Sequence, residues 1–244
     1  MNPFRYRAIA EADHQIQNPL SPQKLARVVD YLRLQQGEQA LDVGCGKGSL
    51  LLAMANAHHI DAVGLELNPA FAAVARESLA ASDLIGSARI VDGPALDFEL
   101  EAESFDVAAC IGATFALGGF EPSLDWLARA VRRGGRIAVG EPFALGDWPP
   151  EVRQRWPEYD RTLVDIGAVL EQRGLALTGM VASSQGDWDH YESQHWRAAA
   201  AWLREHPDDP DAPWLAQKIT ADRADFLAVE RGCFGWAVFV ALKP

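Results

Sequence analysis

The stretch LDVGCGKGS (residues 41–49) decides the fold. A short apolar run, QALDVGC (39–45), feeds three glycines, Gly44, Gly46 and Gly48, and a helix-forming run, SLLLAMANAHH (49–59), follows them. Glycine is needed where a chain turns sharply from strand to helix and where a ligand approaches the backbone without side-chain interference. Three glycines in five positions, with Asp42 just upstream, read as a ligand-binding loop and not as a bare turn.

Working outward, strand and helix signals alternate. DAVGLEL (61–67) is strand-like, and PAFAAVARESLAAS (69–82) opens a helix on a proline. SARIVDG (87–93) and SFDVAACIGA (104–113) read as the third and fourth strands, EPSLDWLARAVRR (121–133) as a helix, and GGRIAVGEP (134–142) as the fifth strand. Apolar strands alternating with helices imply an α/β fold with a mostly parallel, doubly wound sheet covered on both faces. Beyond Pro142 the pattern changes. ALGDWPPEVRQRWPEYD (144–160) holds three prolines and two tryptophans and is expected as a lid or loop. A helix (161–174), a sixth strand (175–183), a long helix (187–207), a second helix (roughly 212–230) and a seventh strand (232–242) complete the chain. The expectation is one domain over 1–244, with a helical insertion before the last strand and cap segments at 143–160 and 184–231.

The loop also discriminates among nucleotides. The dinucleotide pattern G-x-G-x-x-G would place a glycine at position 49, where Ser49 stands, and the phosphate-loop order is absent around Lys47. An aspartate beside the turn repels a pyrophosphate and suits a cationic amino-acid tail, such as that of S-adenosylmethionine. Two further acids end the next strands. Glu66, 18 residues past Gly48, can accept both hydroxyls of a ribose, and Asp92 is followed by Gly93, whose amide can approach a base edge. All three acids are expected at the carboxyl ends of neighbouring strands.

In combination, LDVGCGKG, GLELNP, VDG, FDVAACIGA and GGRIAVGEP resemble the class I S-adenosylmethionine-dependent methyltransferases, chiefly over residues 20–142. HQIQNPLS, IGATFALGGF, WDHYESQHW and CFGWAVF extend a narrower resemblance, to the YjhP-like bacterial group, over nearly the whole chain. The resemblance implies a seven-stranded sheet with its last strand antiparallel, and an N-terminal helical segment (1–35) covering the site. It also implies S-adenosylmethionine as cofactor. Asp42 and the Gly44–Cys45–Gly46 backbone would hold the methionine tail, with Cys45 standing where the family often has serine. Glu66 would hold the ribose, with Leu67 beside the adenine. Asp92 would bond the adenine amino group, next to Gly93, and Ile111 would lie under the sulfonium with Gly112 and Ala113 nearby.

Acceptor-side candidates come from loops and outlying segments. Glu141, locked by Pro142 after the fifth strand, is a candidate base or acceptor-orienting carboxylate. His14 and Asn18, in HQIQNP, are candidates to close the pocket, His14 in a catalytic part. Phe115, Trp188, Tyr191 and Trp196 are candidate aromatic walls. No Asn/Asp-Pro-Pro-aromatic motif and no acidic metal cluster follows the fourth strand, which argues against base-amino methylation and against a metal.

Composition bounds the partners. The net charge is −12, and the densest basic spot is Arg132-Arg133 followed by Arg136. Nucleic acid and acidic membrane are therefore poor expectations, and a small-molecule substrate fits better. Three scattered cysteines without a CxxC pair suggest neither a disulfide framework nor a zinc site. No run of 18 apolar residues and no apolar leader core occurs, so a cytoplasmic protein is expected. Two other functions remain compatible with a glycine loop on such a sheet: a non-catalytic S-adenosylmethionine-binding protein and, against the evidence of Asp42 and Ser49, an NAD-type oxidoreductase.

Overall fold

The computed structural model describes residues 1–244. Its strands are β1 (Gln39–Val43), β2 (Asp61–Glu66), β3 (Ser87–Asp92), β4 (Phe105–Ile111), β5 (Val131–Ala144), β6 (Ala176–Ala182) and β7 (Phe234–Leu242). They form one sheet in the order β3-β2-β1-β4-β5-β7-β6. The first five run parallel, and β7 lies antiparallel between β5 and β6. The chain reverses its direction of travel between β1 and β4, which opens a crevice at the carboxyl ends of those strands.

Both faces of the sheet are buried, and strand period two sorts side chains between them. On one face, Ala40, Ala62, Val107, Ala109 and Ala138 pack under α2 (Pro22–Leu32) and α3 (Ser49–Ala57). On the other, Leu41, Val43, Val63, Ile137, Val139 and Phe143 pack under α5 (Phe120–Ala130) and α7 (Leu163–Gln172). Asp42 and Glu66 share the parity of the first set, while Glu141 shares that of the second.

The outlying helices form a second layer at the carboxyl side. α1 (Pro3–Ala10) packs on α8 (Gln185–Glu205) and α9 (Ala212–Asp225) through Ile9, Ala199, Leu215 and Ile219. The Tyr6 hydroxyl donates to Asp222 at 3.0 Å, and Arg5 pairs with Asp209 and Asp211. α4 (Pro69–Ala80) is capped by Asn68, whose side-chain oxygen accepts the Ala70 amide at 3.1 Å. Ser184 and Asp187 form a capping box at the start of α8, a device worth about 1 kcal/mol.

Several expected boundaries move. Val131–Arg133 belongs to β5 and not to the preceding helix, because Val131 adopts an extended conformation and pairs with Phe105. Residues 144–160 are not all loop: they contain α6 (Pro150–Arg155) and a 3-10 turn (Pro157–Tyr159). Trp148 anchors this segment, with Val152 and Phe234 around it and its indole N–H donating to the Cys233 carbonyl at 2.9 Å. The helix expected to reach residue 230 ends at Asp225 and continues as a π-helical turn (Phe226–Glu230). No helix is long and apolar enough to cross a membrane.

Candidate functional site

A cavity of about 610 Å³ opens at the carboxyl ends of β1, β2 and β4. The glycine loop forms its floor. Gly44, Gly46 and Gly48 all have left-handed backbones, at φ 67°, 57° and 81°. A β-carbon on residue 44 would collide with Ala113, and one on residue 46 with the Gln17 side chain. The close neighbours that require glycine here are thus other parts of the protein.

Residues 11–18 are laced onto this loop. The Lys47 ammonium donates to the carbonyls of Glu11, Ala12 and His14 at 2.6, 3.1 and 2.9 Å. The Lys47 amide donates to Gln17 Oε1 at 2.7 Å, and the Ser49 hydroxyl to the Gln15 carbonyl. Asn18 sits against Gly112, and with its amide turned to donate it bonds the carbonyls of Gln17 and Ile111 at 3.1 and 3.2 Å.

Two carboxyls dominate the electrostatics. Asp42 is buried at the cavity floor and accepts no hydrogen bond from the protein; burial, with Glu66 adding repulsion, pushes its pKa up to about 8. Glu66 is held instead: Oε2 accepts the Gly46 amide at 2.8 Å and Oε1 the Asn68 amide at 2.7 Å. Burial raises its pKa, and these hydrogen bonds oppose the rise. Cys45 lines the cavity as a thiol that burial keeps protonated.

The cavity brings together Asp42, Gly44, Cys45, Gly46, Glu66, Leu67, Gly93, Ile111, Gly112, Asn18, Phe115 and Tyr191. Other candidates lie elsewhere. Asp92 is beyond the lining and bonds Arg76 of α4 at 2.7 Å in a solvent-exposed pair. Glu141 points to the α5/α7 face, where both its oxygens accept the Thr114 hydroxyl at 3.1 and 3.0 Å; burial lifts its pKa to about 7. Neither Glu141 nor Thr114 lines the crevice that Glu141 was expected to border. His14 is buried behind the cavity wall, its Nε2 2.9 Å from the Tyr191 carbonyl and its ring 4.3 Å from that of His195. Trp188 packs between the sheet and the Trp148 cluster, and Trp196 packs on Phe226 at 5.9 Å. The expected cap also changes: no residue of 143–160 lines the cavity, and of 184–231 only Tyr191 does.

The N-terminal segment (1–35), expected to cover the site, supplies this wall through residues that its sequence did not single out. Pro3, Phe4, Arg7 and Glu11 line the cavity from α1 and its end, joined by Ile16 and Gln17. Asn68 also lines it and donates to the Phe4 carbonyl at 3.3 Å. Gly64 was legible in principle as a glycine inside a strand: a β-carbon there would meet Cys45 Sγ at 2.6 Å.

A seven-stranded sheet with this order, a glycine loop after β1 and acids at the ends of β1 and β2 define a class, and the chain belongs to the S-adenosylmethionine-dependent methyltransferases. A methyltransferase-domain family model matches residues 40–135. The chain is 30% identical to the Escherichia coli (strain K12) protein YjhP over 96% of both. The X-ray structure of YjhP matches with a TM-score of 0.90, covering 98% of this chain and 100% of that one. A S-adenosylmethionine-dependent methyltransferase from Geobacter sulfurreducens, solved in complex with S-adenosylhomocysteine, is 31% identical over 98% of both chains, with a TM-score of 0.88. More distantly, the 27-O-demethylrifamycin SV methyltransferase of Amycolatopsis mediterranei is 25% identical over 71% of this chain and 65% of that protein.

Proposed function

We propose that this protein transfers the methyl group of S-adenosylmethionine to a small-molecule acceptor inside the 610 Å³ cavity. The carrying observation is the Asp42 carboxyl, buried on a glycine-rich floor with no donor from the protein. A buried carboxylate without a partner is costly, and the α-ammonium of an amino-acid tail would supply that partner. Two acids on one floor also oppose a pyrophosphate, which disfavours an NAD-type cofactor.

The remaining lining residues divide by position. Glu66, fixed by two backbone amides, is oriented to accept ribose hydroxyls. Leu67 and Leu96, both exposed, flank Gly93 and offer apolar walls for a base. Ile111, Gly112 and Ala113 line the segment between the two ends and would border the sulfonium. When bound, S-adenosylmethionine supplies a methyl carbon already activated for in-line displacement, the carbon–sulfur electron pair leaving with sulfur. The protein's part is then alignment and water exclusion. Phe4, Phe115 and Tyr191 would exclude water from the acceptor side. Glu141 and His14 do not line the cavity, so neither is placed to take a proton from an acceptor bound there.

Calorimetric titration with S-adenosylhomocysteine and with NAD tests the cofactor assignment. Turnover of S-adenosylmethionine to S-adenosylhomocysteine with a metabolite panel tests the chemistry. Binding of NAD in preference to S-adenosylhomocysteine would overturn the first, and binding without turnover on any small molecule would overturn the second.

A further inference from the structure

The backbone amides of the glycine loop, residues 44–48, are already spent. Those of Gly44 and Cys45 both donate to the Leu65 carbonyl, at 2.8 and 3.0 Å, and that of Gly48 donates to the Cys45 carbonyl at 2.9 Å. Gly46 gives its amide to Glu66, and Lys47 gives its own to Gln17. The Lys47 ammonium is spent on the carbonyls of Glu11, Ala12 and His14, and Lys47 does not line the cavity. Beside Asp42, the expected partner of an α-ammonium, these five residues therefore offer no donor to the carboxylate carried on the same carbon.

Arg7 supplies what the loop lacks. Three carboxyls, Glu11, Asp42 and Glu66, line the cavity, and Arg7 is the only cation among its lining residues. A further carboxylate entering with a ligand needs that cation to offset the repulsion. Position agrees with charge. Three residues before Arg7, the Phe4 carbonyl accepts from Asn68 Nδ2 at 3.3 Å, and the Asn68 amide donates to Glu66 Oε1. Four residues after it, Glu11 accepts from Gln17 Nε2 at 2.5 Å, and the Gln17 side chain lies on Gly46. Spacings of three and four share one face of a helix, so Arg7 sits between the Glu66 end and the Gly46 end of the floor, where an amino-acid tail would lie. Glu11 occupies only Nη1 of Arg7, at 2.7 Å; Nε and Nη2 of this half-exposed side chain have no partner. Those two nitrogens form the guanidinium edge that matches the two oxygens of a carboxylate. The same edge of Arg231 holds the Asp189 carboxylate at 2.8 and 3.0 Å.

We infer that Arg7 anchors the cofactor: its free Nε/Nη2 edge takes the α-carboxylate of S-adenosylmethionine, while Asp42 takes the α-ammonium on the same carbon. The inference rests on the reading of this cavity as the cofactor site. Partners of opposite charge fix the orientation of the tail, since exchanging its two groups would set carboxylate against Asp42 and ammonium against Arg7. The helix α1, which lies outside the β-α-β frame, is thereby part of the cofactor site as well as its wall.

The test titrates the full chain calorimetrically with S-adenosylhomocysteine and with its decarboxylated analogue, 5′-deoxy-5′-(3-aminopropylthio)adenosine, which keeps the ammonium and lacks the carboxylate. The wild-type protein is expected to prefer S-adenosylhomocysteine by about ten- to a hundredfold, the range for a charge-assisted bidentate contact. Arg7→Met, which keeps the apolar stem, should remove that preference by lowering the affinity for S-adenosylhomocysteine alone, and Arg7→Lys should keep part of it. Equal wild-type affinity for the two ligands would overturn the inference. So would an unchanged preference in Arg7→Met, the result expected if solvent meets the free edge and the first-turn amides of α3 take the carboxylate. A parallel loss for both ligands in Arg7→Met would also overturn it, because a displaced α1 weakens both alike. If S-adenosylhomocysteine does not bind the wild-type protein at all, it is the reading of the cavity that fails.

Discussion

The side-chain oxygen of Gln17 occupies the space that a β-carbon on residue 46 would need. Gly46 is therefore required by the N-terminal segment that crosses the loop as well as by its own left-handed backbone at φ 57°. The cavity floor and the segment over it are one packed unit, tied by the Lys47 amide and ammonium.

Gly46→Ala should consequently destabilise the protein by about 1–3 kcal/mol, combining left-handed strain with displacement of Gln17. Gln17→Ala in the same chain should recover the collision component and leave the backbone strain of about 1 kcal/mol. Denaturant unfolding of the two single variants and the double variant measures the coupling. Strict additivity would show that Gln17 is not what residue 46 meets.

Glu66→Ala should weaken S-adenosylhomocysteine binding by roughly 1.5–3 kcal/mol, about 10–150-fold, through loss of charge-assisted hydrogen bonds. Part of that loss comes from the Gly46 and Asn68 amides, which lose their acceptor. An affinity within about twofold of wild type would remove Glu66 from the ribose site.

Asp42 makes binding pH-dependent. Its pKa is about 8 in the free protein against an ordinary value of 3.8, so its contribution to stability is full below 3.8 and is lost as pH rises towards 8. A cationic ligand favours the ionised form, so binding expels a proton. Between about pH 6 and 8 the affinity for S-adenosylhomocysteine should rise with pH, by up to about tenfold per unit. Calorimetry in buffers of different ionisation enthalpy should register proton release, and Asp42→Asn should flatten the slope. A flat wild-type profile would rule out Asp42 as the partner of the ammonium.

Glu141→Gln should leave S-adenosylhomocysteine affinity intact and change stability instead. The folded pKa of about 7 lies above the ordinary 4.5, so the wild-type carboxyl contributes fully below 4.5 and loses that contribution as pH rises through 7. The glutamine variant should match wild type near pH 4.5 and exceed it by about 1–3 kcal/mol near pH 8, as judged by thermal or denaturant unfolding. Loss of turnover at wild-type stability would return Glu141 to the reaction.

The β-α-β frame and the glycine loop were legible because they are local: a strand, a turn that demands glycine and a helix are all written within about twenty residues of one another. Asp42 and Glu66 were legible for the same reason, as acids at the ends of apolar runs. Glu141 and Asp92 show where this stops. The end of β3 at Asp92 was located, whereas β5 runs on past Glu141 to Ala144; Glu141 faces the opposite side of the sheet, and Asp92 turns to Arg76. A sheet buried on both faces reads as a continuous apolar run, and such a run carries no alternation from which parity can be read.

The sequence by itself determined the doubly wound architecture, the position of the ligand loop and the two floor carboxyls, since each follows from short-range periodicity and backbone geometry. An N-terminal segment over the site was expected from the family resemblance, and only the tertiary structure decided which of its residues face the cavity and that 143–160 does not. The segments 143–160 and 184–231 looked like the cap, rich in tryptophan and placed after strands, yet Trp148 and Trp196 bury themselves in side clusters with Phe234 and Phe226. The wall is built by α1, a short polar helix, PFRYRAIA, with no marked apolar face of its own. It is positioned by contacts that span most of the chain: Tyr6 to Asp222, Arg5 to Asp209 and Ile9 onto Leu215 and Ile219. Such contacts are set by the packing of the whole chain, and no stretch of α1 encodes them.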